Sequence, residues 1–183
     1  MENLPTPDQL NLGLLVLRLV VGPVFAFHGF AKIYRGGRLA GTARWFDGMG
    51  MRPGHVHARV AAFGELATGT CITLGLLTTL GGMGIVGLMA VAFWTVHKGR
   101  GLLVLNEGWE YVLVLGAIGV SLATIGAGEW SLDNALGIDL NGPVGFLVAL
   151  LGGLGLAAVV LATSYRPPAP AVEHAEPAEP AGA

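Results

Sequence analysis

The sequence predicts an all-α integral membrane helical bundle, and three observations carry that prediction. Only 12% of the 183 residues are charged and 53% are hydrophobic, whereas a soluble domain carries about 25% charged residues. The apolar residues gather into five stretches near membrane-span length. The basic residues are segregated along the chain rather than spread over it. Thirty glycines fit the same class, because Gly is more frequent in membrane helices than in soluble ones.

A span needs about 20 apolar residues at a rise of about 1.5 Å per residue. The five stretches are residues 12–30, 58–77, 79–96, 109–125 and 143–161. The N-terminal sequence MENLPTPDQL has no basic segment ahead of the first stretch, so that stretch is expected to stay as a helix. The second and third stretches are separated only by Thr78, which predicts a tight hairpin. Between the first two, Leu39, Ala43, Trp45, Phe46 and Met49 share one side of a short helix with Arg38 and Arg44 nearby. This is either an interfacial helix or a loop with an aromatic anchor. In the loop after the fourth stretch, Ser131 reads as a helix N-cap and Trp130 as an interface residue.

Outside the first span, the basic residues are Lys32, Arg35, Arg38, Arg44, Arg52, Arg59, Lys98, Arg100 and Arg166. All follow span one, three or five. The N-terminal tail and the loop after span four carry only the acids Glu2, Asp8, Glu129, Asp133 and Asp139. The positive-inside rule then predicts an odd number of spans, with the N-terminus outside and the C-terminus in the cytoplasm. The expected organisation is an extracytoplasmic tail over 1–11, a bundle over 12–166 and a Pro/Ala/Glu-rich tail over 167–183. That tail has too little apolar area to order itself.

Two ionisable residues lie deep in apolar stretches. Arg18 heads the small-residue row Arg18, Gly22, Ala26, and Glu65 lies in the row Ala61, Glu65, Gly69, Thr73. Such a residue costs about 2.5–3.5 kcal/mol at a helix centre and persists where it faces other helices. Small-residue rows are the faces along which helices approach closely. Arg18 and Glu65 are therefore expected to point inward, either pairing with each other or lining a site.

Further polar groups gather near the expected inner ends. His28 and Lys32 are spaced i, i+4, His97 and Lys98 leave span three, and Asn106, Glu107 and Glu110 open span four. Their simplest roles are structural. Glu107 suits a helix dipole behind an Asn106 cap, the lysines anchor at the interface, and the histidines stand partly wet. Cys71 is the single cysteine, which excludes an intramolecular disulfide and a CxxC pair.

Several of these pieces occur together in a known order. They are Arg18, the run His28-Gly29-Phe30-Ala31-Lys32, the run Gly64-Glu65-Leu66-Ala67-Thr68-Gly69, His97, Glu107-Gly108-Trp109-Glu110-Tyr111 and Trp130-Ser131-Leu132-Asp133. In this the chain resembles the DoxX family of small bacterial membrane proteins. The resemblance implies a four-helix core, to which the fifth span and the acidic tail are additions. It also implies a bacterial inner (plasma) membrane and a respiratory or redox-stress setting. The family is named after a subunit of an archaeal quinol oxidase, and the related DoxD proteins are the large subunit of thiosulfate:quinone oxidoreductase.

The expected function is a redox-associated subunit that binds a quinone or similar apolar molecule in a polar pocket within the bundle. Arg18 or His28 would donate to one carbonyl oxygen, with Lys32, His97 and Glu107 around the ligand, and Glu65 or Glu110 would relay protons. No flavin or nicotinamide fingerprint is present, so electrons would come from soluble or membrane redox partner proteins. The rival reading is a non-catalytic scaffold that recruits redox or stress enzymes to its basic face. Two lesser readings are a haem held by His28 and His97, and a small transporter coupled through Glu65 and working as a homo-oligomer. The expected partners are membrane lipid and other proteins, and no nucleic acid.

Overall fold

A computed structural model describes residues 4–167 of the chain, and it is all-helical. Helix α1 spans Pro7–Tyr34, five residues earlier than its apolar stretch begins. The cause is a capping box: Thr6 Oγ1 accepts from the Gln9 N–H, and the Gln9 side chain accepts from the Thr6 N–H. Pro7 at the first position and Asp8 in the first turn suit that start. Helix α2 spans Arg38–Gly48, α3 spans Gly54–Leu74, and α4 spans Thr78–Ala92 and runs on through a π-helical turn, Phe93–His97. A loop with one 3₁₀ turn leads to α5, Glu110–Ile125, and then to the short α6, Leu132–Leu136. The last rod comprises α7, Gly142–Leu147, a second π-helical turn, Val148–Gly152, and α8, Gly153–Ser164. Pro167 is the only residue of the 167–183 tail among those described.

Among the described residues, three helices are long and apolar enough to cross a membrane: Pro7–Tyr34, Thr78–His97 and Gly142–Ser164. Helix α5 is apolar but shorter. Helix α3 has 21 residues, which is span length, yet it carries His55, His57, Arg59 and Glu65. Of the five expected spans, three are thus long and apolar, one is short and one is more polar.

Glycine seams bring the helices together. On α1, Gly22 faces Gly69 and Thr73, and Gly29 faces Ala62 and Leu66. A Cβ on Gly22 would stand 2.6 Å from the Thr73 nitrogen. This register makes α1 and α3 antiparallel. Gly82 of α4 meets Gly119 and Ala123 of α5, and Gly87 meets Gly153 of α8. Without a hydrophobic drive between helices in lipid, such close contact supplies the packing energy. Leu14, Val21, Phe25, Ile72, Ile85, Leu115 and Leu122 fill the centre.

Helix α2 docks on the protein. Its apolar face, with Phe46 buried and Ala43 and Met49 beside it, packs on Met51 and Ala58. Trp45 alone of the expected apolar face stands exposed. The segment is therefore a helix and not a loop, and its apolar face is taken up by the bundle. A two-sided clamp closes this end, with Arg52 N–H donating to Ser164 O at 2.9 Å and Arg166 N–H to Gly50 O at 2.7 Å.

Candidate functional site

The bundle has two polar ends. One is the turn end, formed by the α3–α4 turn, the start of α1 and the loop around α6. Arg18 is 1% exposed and reaches toward it. Its Nη2 donates to the Trp130 carbonyl at 2.6 Å, while Nε and Nη1 have no partner. The guanidinium packs on Gly75, where a Cβ would collide with it and where φ is +61°. Asp133, 8% exposed, ties the turn together. Its two carboxylate oxygens accept from the Leu77 N–H at 2.6 Å and the Thr78 N–H at 2.9 Å, and its own N–H donates to Gly75 O at 2.8 Å. Leu77 sits at φ +50°, a left-handed conformation that costs a branched residue energy and that these bonds hold in place. Asn11 and Glu129 add a reciprocal pair, Asn11 Nδ2 donating to Glu129 Oε2 at 3.0 Å and Glu129 N–H donating to Asn11 Oδ1 at 2.9 Å. Ser131 caps α6 as expected, accepting from the Asn134 N–H.

The other is the α2 end, where α1 and α4 finish and α3 and α5 begin. Glu65 meets Lys32 here, with Nζ and Oε2 2.5 Å apart. An Arg18–Glu65 pair does not form. The glycine register sets Arg18 opposite Gly75 and Glu65 about ten residues away along the seam, about 15 Å at helical rise. Helices with level ends would bring the two side chains closer. In fact α3 starts beyond the last turn of α1, beneath α2.

His28 is exposed on α1. His97 Nδ1 contacts the Glu107 carbonyl at 2.6 Å, and the Glu107 carboxylate pairs with Arg100. Glu110 Oε1 accepts from the Val104 N–H at 2.8 Å. Asn106 is not the cap of α5: the helix starts at Glu110, and Glu107 lies outside it at φ +57°. The loop folds back on itself first, with the Gly108 N–H bonded to Leu103 O, so Glu107 stays in the loop while Glu110 opens the helix and reaches back to the loop. The expected site residues thus fall into separate groups: Arg18 at the turn end, Lys32 and Glu65 on the α1–α3 seam, His97, Glu107 and Glu110 in and flanking the α4–α5 loop, and His28 on the outside. Among the described residues, no group of three His, Cys, Asp or Glu side chains could hold a metal ion.

A large cavity lies elsewhere. A lateral groove of about 1280 Å³ runs between α4, α5 and the α7–α8 rod. Small residues, among them Ala90, Gly116 and Ala157, leave the room. Phe93, Trp94, Trp109 and Tyr165 crowd the α2 end of the groove, and Ser121 lies toward the other. Each π-helical turn contributes to the wall, Phe93 and Trp94 from one and Leu150 from the other. Such turns widen a helix locally and recur at functional sites. The sequence reading missed this groove. Its only sequence signal is aromatic residues at the ends of three different stretches facing small residues between.

Fold and cavity together define a small multi-pass helical membrane protein with a lateral apolar groove. Residues 13–98 match the DoxX family model, so the chain carries a DoxX family domain over that segment. The matched segment holds Arg18, His28, Lys32, Glu65 and His97, and ends before Glu107, Glu110 and Trp130. No curated protein and no solved structure matches the chain.

Proposed function

We propose that this DoxX-domain membrane protein is a redox-associated subunit that takes a quinone, or a similar ring-bearing apolar molecule, into the lateral groove. The observation that carries this reading is the groove itself: apolar walls, a volume of about 1280 Å³ and an aromatic cluster at one end. A flat ring would stack among Trp94, Trp109 and Tyr165, and an apolar tail would follow the small residues of α5 and α8. Phe93 and Trp109, 6.3 Å apart and edge-on, brace that end. Glu110 directly follows the groove residue Trp109, and His97 lies three residues after Trp94; these two are the candidates for exchanging protons with a bound carbonyl. Arg18, Lys32 and Glu65 serve the architecture in this reading. Electrons come from a partner protein.

The test is quinone binding to purified protein in detergent, followed by quenching of tryptophan fluorescence. Ala157→Phe fills the groove and should weaken binding roughly tenfold, about 1.4 kcal/mol. Equal quenching in protein and variant would remove the groove as the site. A scaffold role has its own support. Arg35, Arg38, Arg44, Arg52, Arg59 and Arg166 are all exposed at the α2 end, and none is in an ion pair among the described residues. That face suits acidic partner proteins. Crosslinking in native membranes should recover them, and neutralising these arginines should lose them.

A further inference from the structure

The α4–α5 loop carries four consecutive apolar side chains that the bundle does not cover. Leu102, Leu103 and Val104 are about half exposed, and Leu105 is 89% exposed. A run of exposed apolar residues in a water-facing loop promotes association and is out of place unless something covers it. Three features of the loop say what does.

The first is its depth. Gly82 against Gly119 and Ala123 sets the α4–α5 register, which brings the start of α5 opposite Phe93. The Phe93–Trp109 ring contact agrees. Helix α4 continues past that level through Phe93–His97, five residues or about 7 Å. Helix α5 has 16 residues and rises about 24 Å, short of the roughly 30 Å hydrocarbon core. The loop therefore comes back alongside the last turn of a helix that is itself of span length.

The second is its backbone. Lipid tolerates irregular chain only where the polar groups are satisfied. Here the Trp109 N–H donates to Gly101 O, the Glu110 N–H to Leu102 O, the Asn106 and Gly108 N–H groups to Leu103 O, and the Glu107 N–H to Val104 O. The Glu110 carboxylate accepts from the Val104 N–H. The third is its charges. Arg100 and Glu107 neutralise each other, and Lys98 Nζ lies 3.5 Å over the Trp94 ring, as a residue at the membrane interface does.

We infer that residues 101–109 form a self-bonded loop that inserts Leu102, Leu103, Val104 and Leu105 into the acyl region of the bilayer and completes the short α5 span. Glu110 is the positioning residue that pins Val104 in that shape. The inference does not rest on the occupant of the groove.

The test uses the full chain in liposomes. Cys71→Ala removes the native thiol, and Leu105→Cys then carries an environment-sensitive fluorophore, with Arg38→Cys as an exposed comparison. The Leu105 label should be quenched by acyl-chain nitroxide lipids about threefold more than the Arg38 label, and by aqueous iodide about threefold less, as buried depth in the bilayer requires. Leu103→Cys should report the same pattern if the first variant folds poorly. Adding Glu110→Ala, which removes the acceptor of the Val104 N–H, should raise iodide access at Leu105. Equal iodide quenching at Leu105 and Arg38 would overturn the inference. So would a Leu105 label that is wet in liposomes and shielded only in native membranes, which would make the patch a docking site for a protein.

Discussion

The two ends of the bundle handle charge in opposite ways. At the turn end, Arg18 and Asp133 are buried and bonded chiefly to backbone: Trp130 O on one side, the Leu77 and Thr78 N–H groups on the other. At the α2 end, charges meet in side-chain pairs, Lys32 with Glu65 and Arg100 with Glu107, or stand free in water as the arginines of α2 do. A buried group bonded to backbone fixes where a chain must turn, and nothing else can replace it cheaply. A partly wet pair fixes little, because water or a neighbour takes over. The turn end therefore sets the architecture, and the α2 end is free to be a working surface.

The largest expected effect is at the turn end. Asp133→Ala leaves the buried Thr78 N–H and the partly buried Leu77 N–H without their acceptor and removes the charge that offsets Arg18, and should cost about 3–5 kcal/mol in thermal unfolding in detergent. A cost near that of a surface substitution would erase the distinction between the ends. Next, Gly69→Val would drive a side chain into α1 at Ala26, whose Cα lies 2.8 Å from the added Cβ. Overpacking of this kind costs about 1–3 kcal/mol, and unfolding midpoints would register it.

The α2 end should respond less. The Lys32 and Glu65 side chains are 20% and 13% exposed, so Glu65→Gln should cost about 1–2 kcal/mol. Adding Lys32→Gln should recover part of that loss, whereas Arg18→Gln should recover none; a rescue by Arg18→Gln would contradict the register between α1 and α3. The smallest effect belongs to Glu107→Gln. Its pair with Arg100 is well exposed, and melting should move by no more than about 0.5 kcal/mol.

Much of the architecture was legible in the residues. The span-length apolar stretches, the tight hairpin at Thr78, the Ser131 cap and the small-residue rows of Arg18 and Glu65 all follow from period and composition, which are local. The sites were less so. Lys32 and Glu65 were both singled out, but their partnership was not, because an inward-facing row does not say which residue stands across it. Asn106 looked like a cap because its side chain suits one. The backbone bonds of residues 101–109 moved the helix start to Glu110 instead.

By itself the sequence determined the class: too few charges and too many long apolar runs for any water-soluble fold, with glycines spaced for close helix contact. It also determined that Arg18 and Glu65 had to be enclosed or paired, since the cost of a lone charge in hydrocarbon does not depend on topology. Only the tertiary structure decided who pairs with whom, that α2 spends its apolar face on the bundle, and that a groove opens between α4, α5 and α8. Those outcomes depend on the stagger of helices against one another, set by a few glycine contacts distant in the chain, and a shift of one turn would exchange every partner.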